Sequence, residues 1–345
     1  MKSIHYLVLG LLLLIGCPGE VVNPDGGSLG DAMDVVDAGM EADASGDSQV
    51  KDVISEGDGG LNFDFWSCGN EPISYHDGPV MVEPIKIFVL WYGNWINNNK
   101  TVPIVEQFII DLNGSPWFST TSTYYETLPI DMIAPAQGVM GRAYATNNLI
   151  LTKSVFISSA THGNNLSMSD VFAIVTDAIN DQSVPNDPTA AYLVLTSSDI
   201  NQYDGFESAC QAYCGFHNHK IYNAVDVKFA WIGDPARCLD VCSAKSKYDL
   251  YGISHSPNFD WSADAMVSVI AHELTEIITD YAYDTAPAWT DRYGWENADK
   301  GAWTFGQVYK TDSGSVANVH LGDRDYLLQQ NWTLFDGGQG CALHP

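Results

Sequence analysis

The sequence predicts an α/β fold, a layered mixed, mostly parallel sheet with flanking helices, held by disulfide staples. Three observations predict it. Short β-branched and aromatic runs of strand length recur along the chain, stretches with helical periodicity separate them, and the cysteines after residue 17 are even in number. The charge of −28, from 43 acids against 15 Lys plus Arg, offers no clustered positive surface for a phosphate backbone, so nucleic acid is not an expected partner. A hydrophobic content of 46% is ample for a large core.

The first element is an address. Lys2 precedes the apolar run Tyr6–Ile15, and small Gly16 precedes Cys17, a pattern that reads as an export signal. The run Leu14-Ile-Gly-Cys17 resembles a bacterial lipobox, which implies lipidation of Cys17 and a chain tethered to a membrane, facing the periplasm or the cell exterior. An ordinary secretory signal cut elsewhere is the alternative. No apolar run is long enough for a polytopic membrane protein. Residues 1–16 are therefore expected to be the signal peptide and 17–62 an acidic disordered linker, with eleven acids, one lysine and no aromatic residue between Pro18 and Asn62. Such a coil would hold the domain roughly 40 Å from its anchor. A single domain, 63–345, follows.

Within it, Ile85–Tyr92 fits a buried strand, and Thr101 with Pro103 predicts a helix start, followed by the stripe Ile104, Val105, Phe108, Ile109 and Leu112. Val155–Ser159 predicts a second strand, Ser169 opens a helix with Val171, Phe172, Val175 and Ile179 inward, and Ala190–Leu195 and Val227–Ile232 return as strands. Six cysteines remain after Cys17. The spacing suggests that Cys210 and Cys214 pair with Cys238 and Cys242, in either combination, and that Cys68 joins Cys341. A zinc knuckle is the competing use of the two C-x-x-x-C pairs, disfavoured in an oxidising compartment.

Val89–Trp95, Ala191–Asp199, Gly205-Phe with Cys210 and Cys214–His217, and Phe229–Gly233 with Cys238 and Cys242 together resemble the EXORDIUM, or phosphate-induced protein, family, from about residue 85 to Cys341. That resemblance implies a secreted or wall-associated protein, linked in plants to growth control, and no established catalytic activity.

The strongest chemical signal is His272-Glu-Leu-Thr-Glu276. Ser262 is the expected N-cap of a helix whose Met266, Ile270, Leu274, Ile277 and Ile278 share one side. With His272 at the origin of the wheel, Glu276 falls at roughly 40°, Asp280 at roughly 80° and Glu273 at roughly 100°. An imidazole and three carboxylates on one face repel unless solvated or holding a cation. His272 and Glu276, one turn apart, can reach one metal, with Glu273 in the position of a general base, an arrangement resembling a zincin helix with HExxE in place of HExxH. Glu296 or Asp299 supplies a further ligand and Asp280 is an additional candidate. Zinc is the first expectation, and calcium or manganese suits so carboxylate-rich a set. The bland alternative is a solvated helix face or a buried hydrogen-bond network.

His217 and His219, beside Cys214, are candidate ligands for which a hydrogen-bonded structural role is the favoured reading, and His255 is read as a group approaching the metal site from the loop before the helix. Ser254 and Ser256 show no nucleophile elbow. Trp289, Tyr293, Trp295, Trp303 and Phe305 crowd the segment after the helix, where core packing competes with sugar stacking. The expected function is thus an exported surface protein with a divalent-metal site, a peptidase-like hydrolase with Glu273 as base. The alternative is a non-catalytic glycan-binding or adhesive domain with a structural cation.

Overall fold

The computed structural model describes residues 60–95, 100–129, 140–203 and 205–345. The export signal, Cys17 and all but the last residues of the expected linker lie outside them.

Five strands form the central sheet: β1 (Ile85–Tyr92), β2 (Leu149–Ile157), β3 (Ala190–Thr196), β4 (Gly215–Tyr222) and β5 (Val225–Gly233), in the spatial order β2-β1-β3-β5-β4. The first three pairings are parallel, and β4 closes the edge antiparallel to β5. Parallel strands need crossovers: α1 (Thr101–Leu112) lies between β1 and β2, and α2 (Met168–Asn180) between β2 and β3. β3 and most of β1 are buried on both faces, which is why they read as continuous apolar runs rather than alternating ones. Of the expected Val155–Ser159, only Val155–Ile157 is strand, the end of one beginning at Leu149 whose early residues are half exposed on the sheet edge.

Three helix caps lie elsewhere than the sequence predicts, those of α2 and α3 because a better acceptor is present. Thr101 is the first helical residue rather than the cap, and its hydroxyl donates to Asp260 Oδ2 at 2.8 Å. Ser167, not Ser169, caps α2, because only Ser167 has an acid three residues on: its backbone N–H donates to Asp170 Oδ2 at 2.7 Å while its hydroxyl accepts from the Asp170 N–H. The long helix α3 (Trp261–Asp280) is capped by Asp260, whose Oδ1 accepts the Ala263 N–H at 3.1 Å, rather than by Ser262.

α3 is buried on nearly every side. Its apolar stripe meets the core as the wheel predicts, but its polar face is covered by β4 and by the segment around α4 (Asn297–Lys300) instead of by water. Strand alternation sets what β4 offers. Phe216 and Asn218 pair with Trp231 and Phe229, and Phe229 packs on Phe172 of α2, so Gly215, His217 and His219 project to the opposite face, towards α3. A Cβ on Gly215 would come within 2.6 Å of Val269 Cγ1, so glycine is what lets strand and helix approach.

Disulfides Cys210–Cys238 and Cys214–Cys242 staple the ends of the β4–β5 hairpin, each spanning 28 residues, and Cys68–Cys341 joins the start of the domain to its end. These sulfurs are bound to each other, which leaves no thiolates for a zinc knuckle. The hairpin turns through Asn223 and Ala224, both with positive φ (48° and 62°), the geometry of a two-residue turn matched to strand twist.

Candidate metal centre

Three elements converge on α3. The helix presents His272, Glu273 and Glu276 on two successive turns, β4 lays His217 over them, and the N-terminal end of α4 brings Glu296 and Asp299. α4 is fixed by its own first residues, since the Glu296 N–H donates to Asp299 Oδ2 at 3.2 Å and the Asp299 N–H donates across to Glu276 Oε1 at 3.1 Å. The spacing i, i+3 therefore clamps Asp299 against the HExxE helix.

His272 Nε2 lies 3.2 Å from Glu276 Oε1 and 3.6 Å from Asp299 Oδ1. A tetrahedral ion with ~2.0 Å bonds has ligand atoms about 3.3 Å apart, so these three side chains already have the spacing of one coordination sphere. Glu296 stands on the other side: its Oε1 is 3.7 Å from His217 Nε2, while His217 Nδ1 is 3.3 Å from Glu276 Oε2 and 3.4 Å from Glu273 Oε2. The expected set His272, Glu276, Glu296 and Asp299 thus divides, with Glu276 common to both halves. The side chains of His217, His272, Glu273, Glu276, Glu296 and Asp299 are only 3–5% exposed.

So much buried carboxylate distorts every protonation equilibrium. Burial pushes Glu273 and Asp299 up, the latter also repelled by Glu276, and holds Glu296 well above the carboxylate range together with the charges of Glu276 and Asp280. Burial would likewise raise Glu276, but the charges of His272 and hydrogen bonding to both histidines take it down to about 2. Burial would lower both histidines, yet Glu273 and Glu276 lift His217 to about 9, and Glu276 with Asp299 lifts His272 well above its ordinary value. Among the described residues no lysine or arginine pairs with these acids; Lys300, adjacent to Asp299, turns away to Asp291 Oδ2 at 2.8 Å.

The other candidates are placed as follows. Asp280, one turn beyond Glu276, accepts the Ala288 N–H at 2.6 Å and anchors the loop leaving α3, with neither histidine as its partner, and burial raises its carboxyl to about 7. His219 is structural, its ring held by Asp226 at 2.8 Å and Asp284 at 3.1 Å. His255 does not approach the centre: its ring contacts the carbonyls of Ser256 and Ser313 and stacks on Phe259. Trp289, Trp303 and Phe305 are core residues, Trp289 packing with Tyr75, Tyr124 and Tyr125, so most of the aromatic cluster is not available to sugars. Tyr293 is exposed.

His217 is the residue that sequence reasoning undervalued. Its signal was the pair His217 and His219 at strand spacing, which puts both on one face of β4. A half-buried Tyr283 rests edge-on against the His217 ring at 5.1 Å.

The phosphate-induced protein 1 conserved region matches residues 73–330 of the chain. Similar proteins include protein EXORDIUM-like 5 of Arabidopsis thaliana, 27% identical over 290 residues and covering 75% of each chain. EXORDIUM-like 3 of the same plant is 27% identical over 292 residues, covering 76% of this chain and 80% of its own, and protein PHOSPHATE-INDUCED 1 of Nicotiana tabacum is 26% identical over 235 residues, covering 61% and 65%. No solved structure matches the chain.

Proposed function

Because the chain belongs to the phosphate-induced protein 1, or EXORDIUM-like, family, we propose that it is an exported cell-surface protein, anchored through lipidated Cys17, that holds a divalent cation on His272, Glu276 and Asp299. Family membership and three disulfides support the extracellular location, since such bonds persist in oxidising compartments. The observation that carries the metal reading is the buried His272–Glu276–Asp299 triad, with ligand atoms within 4.8 Å of one another and no cationic side chain paired to it among the described residues. Isolated buried carboxylates cost several kcal/mol each after relaxation, and a bound cation offsets that cost. Nitrogen with two carboxylates suits zinc, and manganese or calcium are the alternatives.

A bound cation would supply Lewis acidity and an acidified water. Glu273, next in the chain to a ligand but directed to His217, is the group positioned to take a proton from such a water, as in a zincin-like hydrolase of peptides. The near-complete burial of the cluster favours a second reading, a structural cation that locks α3, β4 and α4 together in an adhesive domain. One experiment separates them. The purified full chain is analysed for metal beside His272→Ala, then assayed on quenched-fluorescence peptides with and without chelator. Stoichiometric metal lost in His272→Ala supports the centre. Peptide cleavage abolished by chelator and by Glu273→Gln, with metal retained in Glu273→Gln, supports the hydrolase. Metal without turnover, with chelator only lowering Tm, supports the brace. Absence of metal from the wild type refutes both. Recovery of Cys17→Ser in the soluble fraction checks the anchor.

A further inference from the structure

We propose that the centre holds two divalent cations, bridged by the Glu276 carboxylate, with His217 and Glu296 completing the second sphere. This rests on the metal reading above and extends it from one ion to a pair.

Glu276 divides its two oxygens. Oε1 faces His272 Nε2 at 3.2 Å on the α4 side, and Oε2 faces His217 Nδ1 at 3.3 Å on the β4 side. Each histidine heads a ligand set, His272–Glu276–Asp299 and His217–Glu276–Glu296, with one atom from each residue within 4.8 Å of the others. An ion in the second set takes a single nitrogen of His217, Nε2, the one facing Glu296, and leaves Nδ1 to Glu273. A carboxylate offering one oxygen to each of two ions sets them about 3.5–4 Å apart, the separation of two-metal sites.

The second set has its own mark of an unmet ligand demand. His217 Nε2 and Glu296 Oε1 face each other across 3.7 Å, both without a hydrogen-bond partner, in side chains only 3–4% exposed. Polar atoms so deeply buried are normally satisfied, and leaving one bare costs about 1–3 kcal/mol. Charge points the same way. Glu273, Glu276, Glu296 and Asp299 bring four carboxylates to the cluster, and a fifth, Asp280, lies one turn beyond Glu276, where it accepts the Ala288 N–H. Two dications neutralise those four with both imidazoles neutral, the form in which histidine binds metal, whereas one dication leaves two negative charges that protons on the carboxyls must cancel. The competing arrangement is a protonated His217 held as an imidazolium between Glu273, Glu276 and Glu296, which needs one ion only.

The test uses the full chain, stripped with chelator and reconstituted with manganese(II) or zinc(II) alone. Two equivalents of zinc per chain by elemental analysis are expected, falling to one in His217→Asn and in Glu296→Gln. With two equivalents of manganese, the electron paramagnetic resonance spectrum of the wild type is expected to show a spin-coupled pair, giving way to the isolated-ion pattern in each variant; the wild-type spectrum reads the pair without reliance on either variant folding. One equivalent in the wild type with an isolated-ion spectrum, unchanged by His217→Asn, overturns the pair and leaves the single-ion centre standing. Two equivalents that persist in both variants overturn the assignment of His217 and Glu296. No bound metal at all overturns the reading on which the pair rests.

Discussion

Gly215→Ala is the sharpest test of how β4 and α3 meet. The added Cβ would sit 2.6 Å from Val269 Cγ1, 2.9 Å from Glu273 Oε1 and 3.1 Å from the Trp231 carbonyl oxygen. Carbon pairs are comfortable at about 3.5–4.0 Å, so strand and helix would have to separate by roughly 1 Å. Neither yields cheaply. Val269 lies in the buried middle of α3, the Trp231 carbonyl belongs to β5, and Cys214, the preceding residue, is bonded to Cys242. Overpacking of this kind costs about 1–3 kcal/mol. A value near 2 kcal/mol lowers Tm by roughly 3–4 °C in a domain of this size and moves the urea midpoint at constant slope. Gly340→Ala is the control, because nothing lies within 4 Å of a Cβ there and a change within about 0.5 kcal/mol is expected. Urea unfolding of both variants under oxidising conditions decides it. Equal midpoints for Gly215→Ala and Gly340→Ala would refute the close approach, and with it the placement of His217 and Glu273 against one another.

Ala224 occupies a left-handed conformation (φ 62°) in the β4–β5 turn, so Ala224→Gly is expected to raise stability by about 0.5–1 kcal/mol in urea unfolding, the strain relieved exceeding the entropy glycine adds. Burial raises the Asp264 carboxyl to about 6 despite hydrogen bonds from Asn258. Because the folded state holds that proton more tightly than the unfolded chain, the contribution is complete below about pH 4 and lost as pH rises through 6. It amounts to about 3 kcal/mol, visible as a steeper pH–stability curve than that of Asp264→Asn, and parallel curves would refute it. Replacing Cys68 and Cys341 by serine opens a cross-link of sequence separation 273 and is expected to cost about 3–5 kcal/mol by denaturant unfolding at fixed pH.

The elements legible in the sequence were those whose environment is uniform. β1, β3 and β5 are surrounded by apolar packing and show it in their composition, and α3 was visible from its stripe and from His272 and Glu276 one turn apart. β4 was not, because Gly-Phe-His-Asn-His-Lys-Ile-Tyr carries a small residue where the helix approaches and imidazoles where acids wait, so neither face shows an apolar period. The wheel separated the two sides of α3 correctly but could not tell water from β4 as the neighbour of the polar one, and that is a tertiary fact. Glu296 and Asp299 were legible as acids downstream of the helix. Their division between two histidines depends on how α4 is held by the Asp299 N–H against Glu276, which no periodicity encodes. The starts of α2 and α3 moved by two residues because a neighbouring side chain, Ser167 (boxed with Asp170) or Asp260, accepts the first helical N–H groups in place of the expected serine.

The paired cross-links at the open end of the β4–β5 hairpin have a temporal meaning. Each joins the segment entering β4 to the segment leaving β5, so in a reducing environment the edge strand loses the two tethers that hold its imidazole over the helix. The acids of α3 and α4 would then face their mutual repulsion with half the cradle untied. Oxidation and the closure of β4 over α3 are therefore linked: the strand is held against the helix only where its thiols can join.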